Sequence, residues 1–190
     1  NIFYVLKQLN KYSICHHDIN SRNILINNNK SYLIDYDISI EMENLKKNDF
    51  LINRMKEEFN SYRIYEIYPF EYIYYHLKDN EEITVEQNNI ALYQYRFNYY
   101  EIYEPIHNKL FNRDTDNLRF ELLEDKLMGK KMDLEKLIHK LDVYSLGMTI
   151  LILFIDRCDG YNIKIEECIR LFKLKDLKPY MDLIKDMTEF

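Results

Sequence analysis

The fold of this chain is decided by one short stretch, which reads His-His-Asp-Ile-Asn-Ser-Arg-Asn at residues 16–23. This His-Asp loop places a carboxylate, Asp18, and a carboxamide, Asn23, five positions apart, so that both side chains can face one cleft. Two short apolar runs follow at residues 24–26 and 32–34, joined by an asparagine-rich connection. Connections of this kind join the strands of a hairpin.

The predicted hairpin spans residues 24–34 and determines where the next carboxylate lies. Asn23 comes just before the first strand, and Asp35 comes just after the second strand, 12 residues later. Because the strands of a hairpin run in opposite directions, the chain folds back and Asp35 returns to the cleft that holds Asp18. One compact unit therefore supplies two carboxylates and one carboxamide.

Apolar residues at helical spacing predict that most of the rest of the chain is helical. Residues 2–12 form an amphipathic helix that leads into the His-Asp loop. Residues 140–155 form a strongly apolar helix opened by Asp142, and residues 165–172 and 179–187 form two more amphipathic helices. The predicted fold class is α+β, mainly α.

Composition indicates a globular protein: of 190 residues, 47% are hydrophobic and 31% are charged. The net charge of −6 argues against a non-specific nucleic-acid binder. The longest apolar run, residues 146–155, is about half of what a membrane span needs, so a buried core helix is favoured and no membrane association is evident.

Cys15, Cys158 and Cys168 lack zinc-site or disulfide spacing, which favours a reducing, intracellular and cytoplasmic setting. The Asn-, Ile-, Lys- and Tyr-rich composition is typical of an AT-rich genome, viral or protozoan, and for a viral protein the cytoplasm is the host cell's.

Phosphoryl transfer from ATP needs a carboxylate beside the accepting hydroxyl and oxygen ligands for Mg²⁺ at the phosphates. The His-Asp loop resembles the protein-kinase catalytic loop H-R-D-L-x-x-x-N, and residues 33–37 (Leu-Ile-Asp-Tyr-Asp) resemble the segment that ends in D-F-G. The resemblance implies that Asp18 is the catalytic base, that Asn23 is a ligand of one Mg²⁺, and that Asp35 is the main Mg²⁺ ligand. The implied cofactors are ATP and Mg²⁺.

Three further residues acquire roles through this resemblance to the protein kinase superfamily. His16 would support the His-Asp loop by packing against Tyr36, which stands in place of the Phe of D-F-G. Leu25 would lie under the adenine ring and so contact the cofactor.

Two more motifs follow in the order that the family has them. Residues 68–71 (Tyr-Pro-Phe-Glu) resemble the A-P-E segment, in which Glu71 would form a salt bridge with a later arginine. Residues 142–147 (Asp-Val-Tyr-Ser-Leu-Gly) resemble the D-x-W-S-x-G start of the large central helix. There Asp142 would accept backbone N–H groups of the His-Asp loop and hold the loop rigid.

The chain also departs from the family's pattern at several positions. His17 occupies the Arg position of H-R-D, which weakens the usual pocket for an activation-loop phosphate. Asn20 replaces the Lys common in serine/threonine kinases, and Arg22 stands where tyrosine kinases often carry Arg, so these two positions leave the choice between Ser/Thr and Tyr acceptors open. Asp37 replaces the glycine of D-F-G, either as an acidic loop residue or as a third metal contact. The long stretch between Glu71 and the central helix implies a large helical insertion at residues 76–137.

The resemblance implies a protein-kinase C-terminal lobe over residues 1–190, with the N-terminal lobe supplied by the parent chain. The expected function is ATP- and Mg²⁺-dependent phosphorylation of Ser/Thr hydroxyls in a protein substrate, and the 190 residues alone are expected to be inactive. A pseudokinase or interaction module, and a small-molecule phosphotransferase of the aminoglycoside-kinase type, are the alternatives. Sequence upstream of Asn1 would separate them, because a Gly-rich loop and a strand lysine belong to the enzyme.

Overall fold

A computed structural model describes the chain at residues 2–42, 68–69, 72, 134–160 and 164–188. Within these ranges the protein is α+β and mainly helical, which confirms the predicted fold class. Glu71 and residues 76–133 of the predicted insertion lie outside the described residues. Residues 134–137, the end of the predicted insertion, form the first turn of a long helix.

The first helix, α1, runs from Ile2 to Lys11 and confirms the prediction for residues 2–12. Its apolar side chains recur at helical spacing and therefore share one face. Leu6 on that face is buried in a core cluster with Ile19, Leu33, Leu146 and Met187. The helix thus packs against the loop, the hairpin and the C-terminal helices.

The predicted hairpin is present. Strand β2 (Ile24–Asn27) pairs antiparallel with strand β3 (Lys30–Leu33). Asn28 and Asn29 connect the two strands with φ angles of 48° and 60°. Two-residue hairpin loops favour positive φ at both positions, and asparagine tolerates this conformation better than most residues. The asparagine-rich connection therefore sets the register in which β2 and β3 pair.

A second two-stranded sheet was not predicted. Strand β1 (Ile14–Cys15) pairs antiparallel with strand β4 (Ile40–Glu41), on either side of the loop and the hairpin. The backbone N–H of Met42 also donates to the carbonyl of Ser13 at 2.8 Å. This short pairing brings together the two ends of the segment between β1 and β4, which contains the His-Asp loop, the hairpin and Asp35.

The central helix, α2, runs from Leu134 to Gly160 and is longer than the predicted 140–155. The expectation that Asp142 opens this helix was wrong, since Asp142 lies in its interior. The span Lys136–Cys158 is 23 residues long and apolar enough to cross a membrane by length and composition, but a core helix meets the same criteria. Half of its most apolar 18-residue stretch is buried inside the protein.

The last two helices pack against α2. Helix α3 (Ile165–Phe172) has the predicted bounds, and α4 (Lys178–Met187) begins one residue before the predicted start. A Cβ atom placed on Gly147 would lie 2.9 Å from the Cβ of Met187, so the absence of a side chain at Gly147 lets α2 and α4 approach closely. The rings of Phe154 and Phe172, with centroids 5.5 Å apart, join α2 to α3.

Candidate active site

The His-Asp loop is attached to α2 by buried hydrogen bonds. The backbone N–H groups of His16 and His17 donate to the two carboxylate oxygens of Asp142, at 2.7 and 2.9 Å. The hydroxyl of Thr149, two turns further along α2, donates to the carbonyl of Ile19 at 3.1 Å. Asp142 thus makes the contacts that the resemblance assigned to it, and two positions on one face of α2 hold the loop.

Asp142 is only 8% exposed, and burial raises the pKa of its carboxyl group. The N–H groups of His16 and His17 act in the opposite direction, because hydrogen bonds to the charged form favour it. The thiol of Cys15 also donates to this carboxylate, at 3.4 Å. Burial, followed by the negative charge of Asp142, raises the pKa of Cys15 well above its ordinary value, so Cys15 is a buried neutral thiol and not a nucleophile.

Asp18 and Asn23 are brought together directly. The side-chain amide of Asn23 donates to the carbonyl oxygen of Asp18 and to its carboxylate oxygen Oδ2, both at 2.9 Å. Asn23 ends a 3-10 turn (Ser21–Asn23) and is buried, whereas Asp18 is partly exposed. Because the nitrogen of Asn23 is committed to Asp18, its oxygen is the atom that remains to bind a cation.

The residue that precedes Asp35 pairs with Asn23, because the pairing of the hairpin extends one residue beyond its strands. The backbone N–H of Ile34 donates to the carbonyl of Asn23 at 3.0 Å, so the residue after Ile34 begins next to the end of the His-Asp loop. Asp35 is exposed and has a φ angle of 66°, in the left-handed region. Residues other than glycine in this region cost free energy and concentrate at functional sites. The hairpin therefore returns Asp35 to the segment that holds Asp18.

His16 connects the His-Asp loop to the segment of Asp35. Its Nδ1 accepts the backbone N–H of Asp18 at 3.3 Å, which leaves the ring proton on Nε2 to be donated to the carbonyl of Ile34 at 3.0 Å. The ring also packs edge-on against Tyr36, with centroids 4.6 Å apart, as the resemblance implied. His16 thus holds the residues on both sides of the predicted site in one arrangement.

His17 has surroundings that the sequence analysis missed. Its side chain is 1% exposed and stacks on the ring of Tyr68, with centroids 5.7 Å apart. Its Nε2 is hydrogen-bonded to the hydroxyl of Tyr72, and the hydroxyl of Tyr68 donates to the His17 carbonyl at 3.2 Å. The sequence feature that could have indicated these contacts is a pair of tyrosines four residues apart, one on each side of Pro69. Tyr68, the first residue of the Tyr-Pro-Phe-Glu segment, and Tyr72 are therefore in contact with the His-Asp loop.

Leu25, the predicted adenine contact, lies on the exposed hairpin. Its cross-strand partner is Tyr32, and the two side chains are 49% and 47% exposed. Side chains directly opposite each other in an antiparallel pair lie on the same face of the sheet. Leu25 and Tyr32 thus form an apolar surface on the hairpin that follows Asn23, where a planar ring could pack.

The side-chain oxygens of Asn23 and Asp35 are the candidate ligands for Mg²⁺. Mg²⁺ is usually held by one or two carboxylates together with substrate phosphates and water. If Mg²⁺ binds here, Asp35 and Asn23 would supply one carboxylate oxygen and one carboxamide oxygen. No group of three or more His, Cys, Asp or Glu side chains able to hold a metal ion occurs among the residues that the structure describes.

No protein-family model matches this chain, and neither the curated proteins nor the solved structures contain a significant match. The resemblance to protein kinases therefore depends on the motifs and on the contacts between the described residues.

Proposed function

We propose that this chain is the catalytic lobe of a protein-kinase-like phosphotransferase, which transfers the γ-phosphoryl group of ATP to Ser/Thr hydroxyls of a protein. One observation carries the proposal. Asp18 and Asn23 are hydrogen-bonded to each other at 2.9 Å, and the hairpin pairs Asn23 with the residue that precedes Asp35. A loop with only a structural role would not require three oxygen-bearing side chains at the same end of a hairpin.

Asp18 would orient the acceptor hydroxyl and accept its proton during transfer. Asp18 is suited to this role because it is partly exposed. Its position is fixed because the backbone N–H of the neighbouring His17 donates to Asp142. The loop therefore need not reorganise when substrate binds, and this positioning is the main contribution that such a protein makes to phosphoryl transfer.

Asp35 and the Asn23 oxygen would hold Mg²⁺ at the phosphates of ATP. Bound there, the cation would neutralise charge on the phosphate oxygens. Asp35 has its positive φ directly after the pairing of the hairpin ends. Leu25 would contact the adenine ring through its exposed apolar side chain.

The proposal is tested in the full-length protein with Mg-ATP and two panels of acceptors, Ser/Thr peptides and small aminoglycosides. We expect Asp18→Asn to lower kcat by roughly 10²- to 10⁴-fold, because the hydroxyl loses its proton acceptor. The Kd of Mg-ATP, measured by calorimetry, should stay unchanged in this variant. Asp35→Asn should instead weaken Mg-ATP binding, since a hard cation prefers the charged oxygen.

The matched control is Asp156→Asn, the same substitution at an exposed position of α2, which should leave both constants unchanged. Full turnover in Asp18→Asn would refute the mechanism. Transfer to aminoglycosides and not to peptides would favour the small-molecule phosphotransferase. A wild-type protein that neither binds Mg-ATP nor transfers phosphate would instead favour the interaction module.

A further inference from the structure

The carboxylate of Asp18 has a second amide partner, to which the motifs assign no role. The side-chain nitrogen of Asn20 donates to Asp18 Oδ1 at 2.8 Å and also lies 3.3 Å from the Asp18 carbonyl oxygen. Asn23 holds the other carboxylate oxygen, Oδ2, at 2.9 Å. Each oxygen of the proposed base is therefore held by one carboxamide.

The orientation of the Asn20 amide is determined by its other contact. The backbone N–H of Arg22 donates to the Asn20 side chain at 2.9 Å, and a backbone N–H can only donate. The atom it meets must be the oxygen, so the Asn20 nitrogen necessarily faces Asp18. Asn20 is thus the N-terminal cap of the 3-10 turn and a donor to the base at the same time.

This arrangement has a consequence for the proton acceptor. The terminal torsion of an aspartate side chain is broad, so its rotamer alone does not fix the plane of the carboxylate. Two donors, one on each oxygen, do fix that plane, and they leave further lone pairs for a hydroxyl. If Asn23 also binds a cation through its oxygen, its position depends on the substrate complex, whereas the oxygen of Asn20 is held within the protein by the backbone N–H and the Nε of Arg22.

We propose that Asn20 is a positioning residue that sets the plane of the Asp18 carboxylate for attack by the acceptor hydroxyl. This inference rests on the proposed function. Asn20 acts through the Asp18 carboxylate and is assigned no contact with ATP or with the acceptor hydroxyl. Where Asn20 stands, the resemblance places a lysine in serine/threonine kinases, and a lysine is also a hydrogen-bond donor.

The capping role and the positioning role can be separated by substitution. Asn20→Asp keeps an oxygen for the Arg22 N–H, and therefore keeps the cap, but removes the donor to Asp18. Asn20→Lys removes the cap and keeps a donor. Asn27→Asp is the control, because Asn27 is an exposed asparagine at the end of β2 and receives the same change in charge.

The experiment measures the single-turnover rate of phosphoryl transfer, the KM for ATP and the thermal stability of these variants in the full-length protein. We expect Asn20→Asp to lower the transfer rate roughly 10- to 100-fold, the size expected for one hydrogen bond to a charged group. Its KM for ATP should match that of the wild type, whereas its Tm should be lower, because the new carboxylate faces the carboxylate of Asp18. Asn20→Lys should transfer phosphate faster than Asn20→Asp although it lacks the cap, and Asn27→Asp should behave as wild type.

A wild-type transfer rate in Asn20→Asp would overturn the inference, and so would an Asn20→Lys variant as slow as Asn20→Asp, because the cap would then be the important contact. In both cases an inactive Asp18→Asn variant in the same assay would leave the proposed function standing. Absence of transfer by the wild-type protein would remove the proposed function itself, and the inference with it.

Discussion

Replacement of Asp142 by asparagine tests how α2 holds the His-Asp loop. The carboxylate accepts two backbone N–H groups, one on each oxygen, from residues more than 120 positions away in the sequence. A carboxamide of the same shape has only one acceptor atom. In Asp142→Asn, the N–H of either His16 or His17 must therefore face an NH₂ group inside the protein.

The expected loss of stability follows from these contacts. A hydrogen bond to a charged group contributes about 1.5–3 kcal/mol, and a buried donor left without a partner costs about 1–3 kcal/mol. Part of this loss is offset, because burial raises the pKa of Asp142 and removal of the charge relieves that unfavourable burial. We expect the free energy of unfolding to fall by about 1–3 kcal/mol in Asp142→Asn.

The assay is urea unfolding followed by circular dichroism, together with hydrogen exchange of the amides of His16 and His17 in the full-length protein. The exchange of these amides should be faster in Asp142→Asn. Asp156→Asn, on the exposed face of the same helix, should change stability by less than about 0.5 kcal/mol. If the two variants are equally stable and the exchange is unchanged, α2 does not hold the loop through this carboxylate.

Three further predictions concern packing and titration. Gly147→Ala should lower the free energy of unfolding by about 1–3 kcal/mol, since the new methyl group would lie 2.9 Å from the Cβ of Met187; Gly160→Ala, with nothing within 4 Å, should be neutral or stabilising. Tyr72→Phe should cost about 1 kcal/mol in chemical unfolding through the lost hydrogen bond to the buried imidazole. Because burial raises the pKa of Asp142, its contribution to stability should be complete below its ordinary value of 3.8 and should fall as the pH rises through the raised value.

Each of these has an outcome that contradicts it. Equal stability of the two glycine variants would mean that α2 and α4 are not in close contact at Gly147. A Tyr72→Phe protein as stable as the wild type would show that the hydroxyl contributes nothing to the contact with the loop. For the titration, the stability of the wild type minus that of Asp142→Asn is measured against pH, and a difference that increases with pH would contradict the sign.

The hairpin and three of the helices could be predicted because their signals are local. Short apolar runs on either side of consecutive asparagines leave few alternatives to a tight turn, and the observed turn at Asn28 and Asn29 has the positive φ angles that such turns need. The spacing of apolar residues likewise predicts α1, α3 and α4 to within a residue or two. In each case the residues that determine the structure are within a few positions of one another.

Other features had no local signal. Strands of two residues, such as β1 and β4, are too short to show any periodicity, so their pairing could not be predicted. The start of α2 was missed because Lys136, His139 and Lys140 are exposed and the apolar pattern is strong only beyond them. Asp142 was taken for a helix start because acidic residues favour that position, whereas its carboxylate is used by another part of the chain.

The sequence by itself determined that Asp18, Asn23 and Asp35 occupy the two ends of one loop and hairpin, because the spacing and the turn residues lie within 18 positions of one another. The spacing of residues did not determine how these side chains are held: the contact of Asp142 was implied only by the resemblance, and the tertiary structure decided the rest. The bonds of Asp142 to the His-Asp loop span 126 and 125 positions, and the cluster of His17 with Tyr68 and Tyr72 joins segments more than 50 positions apart. Such contacts depend on how helices pack over the whole core, and local spacing contains no information about that packing.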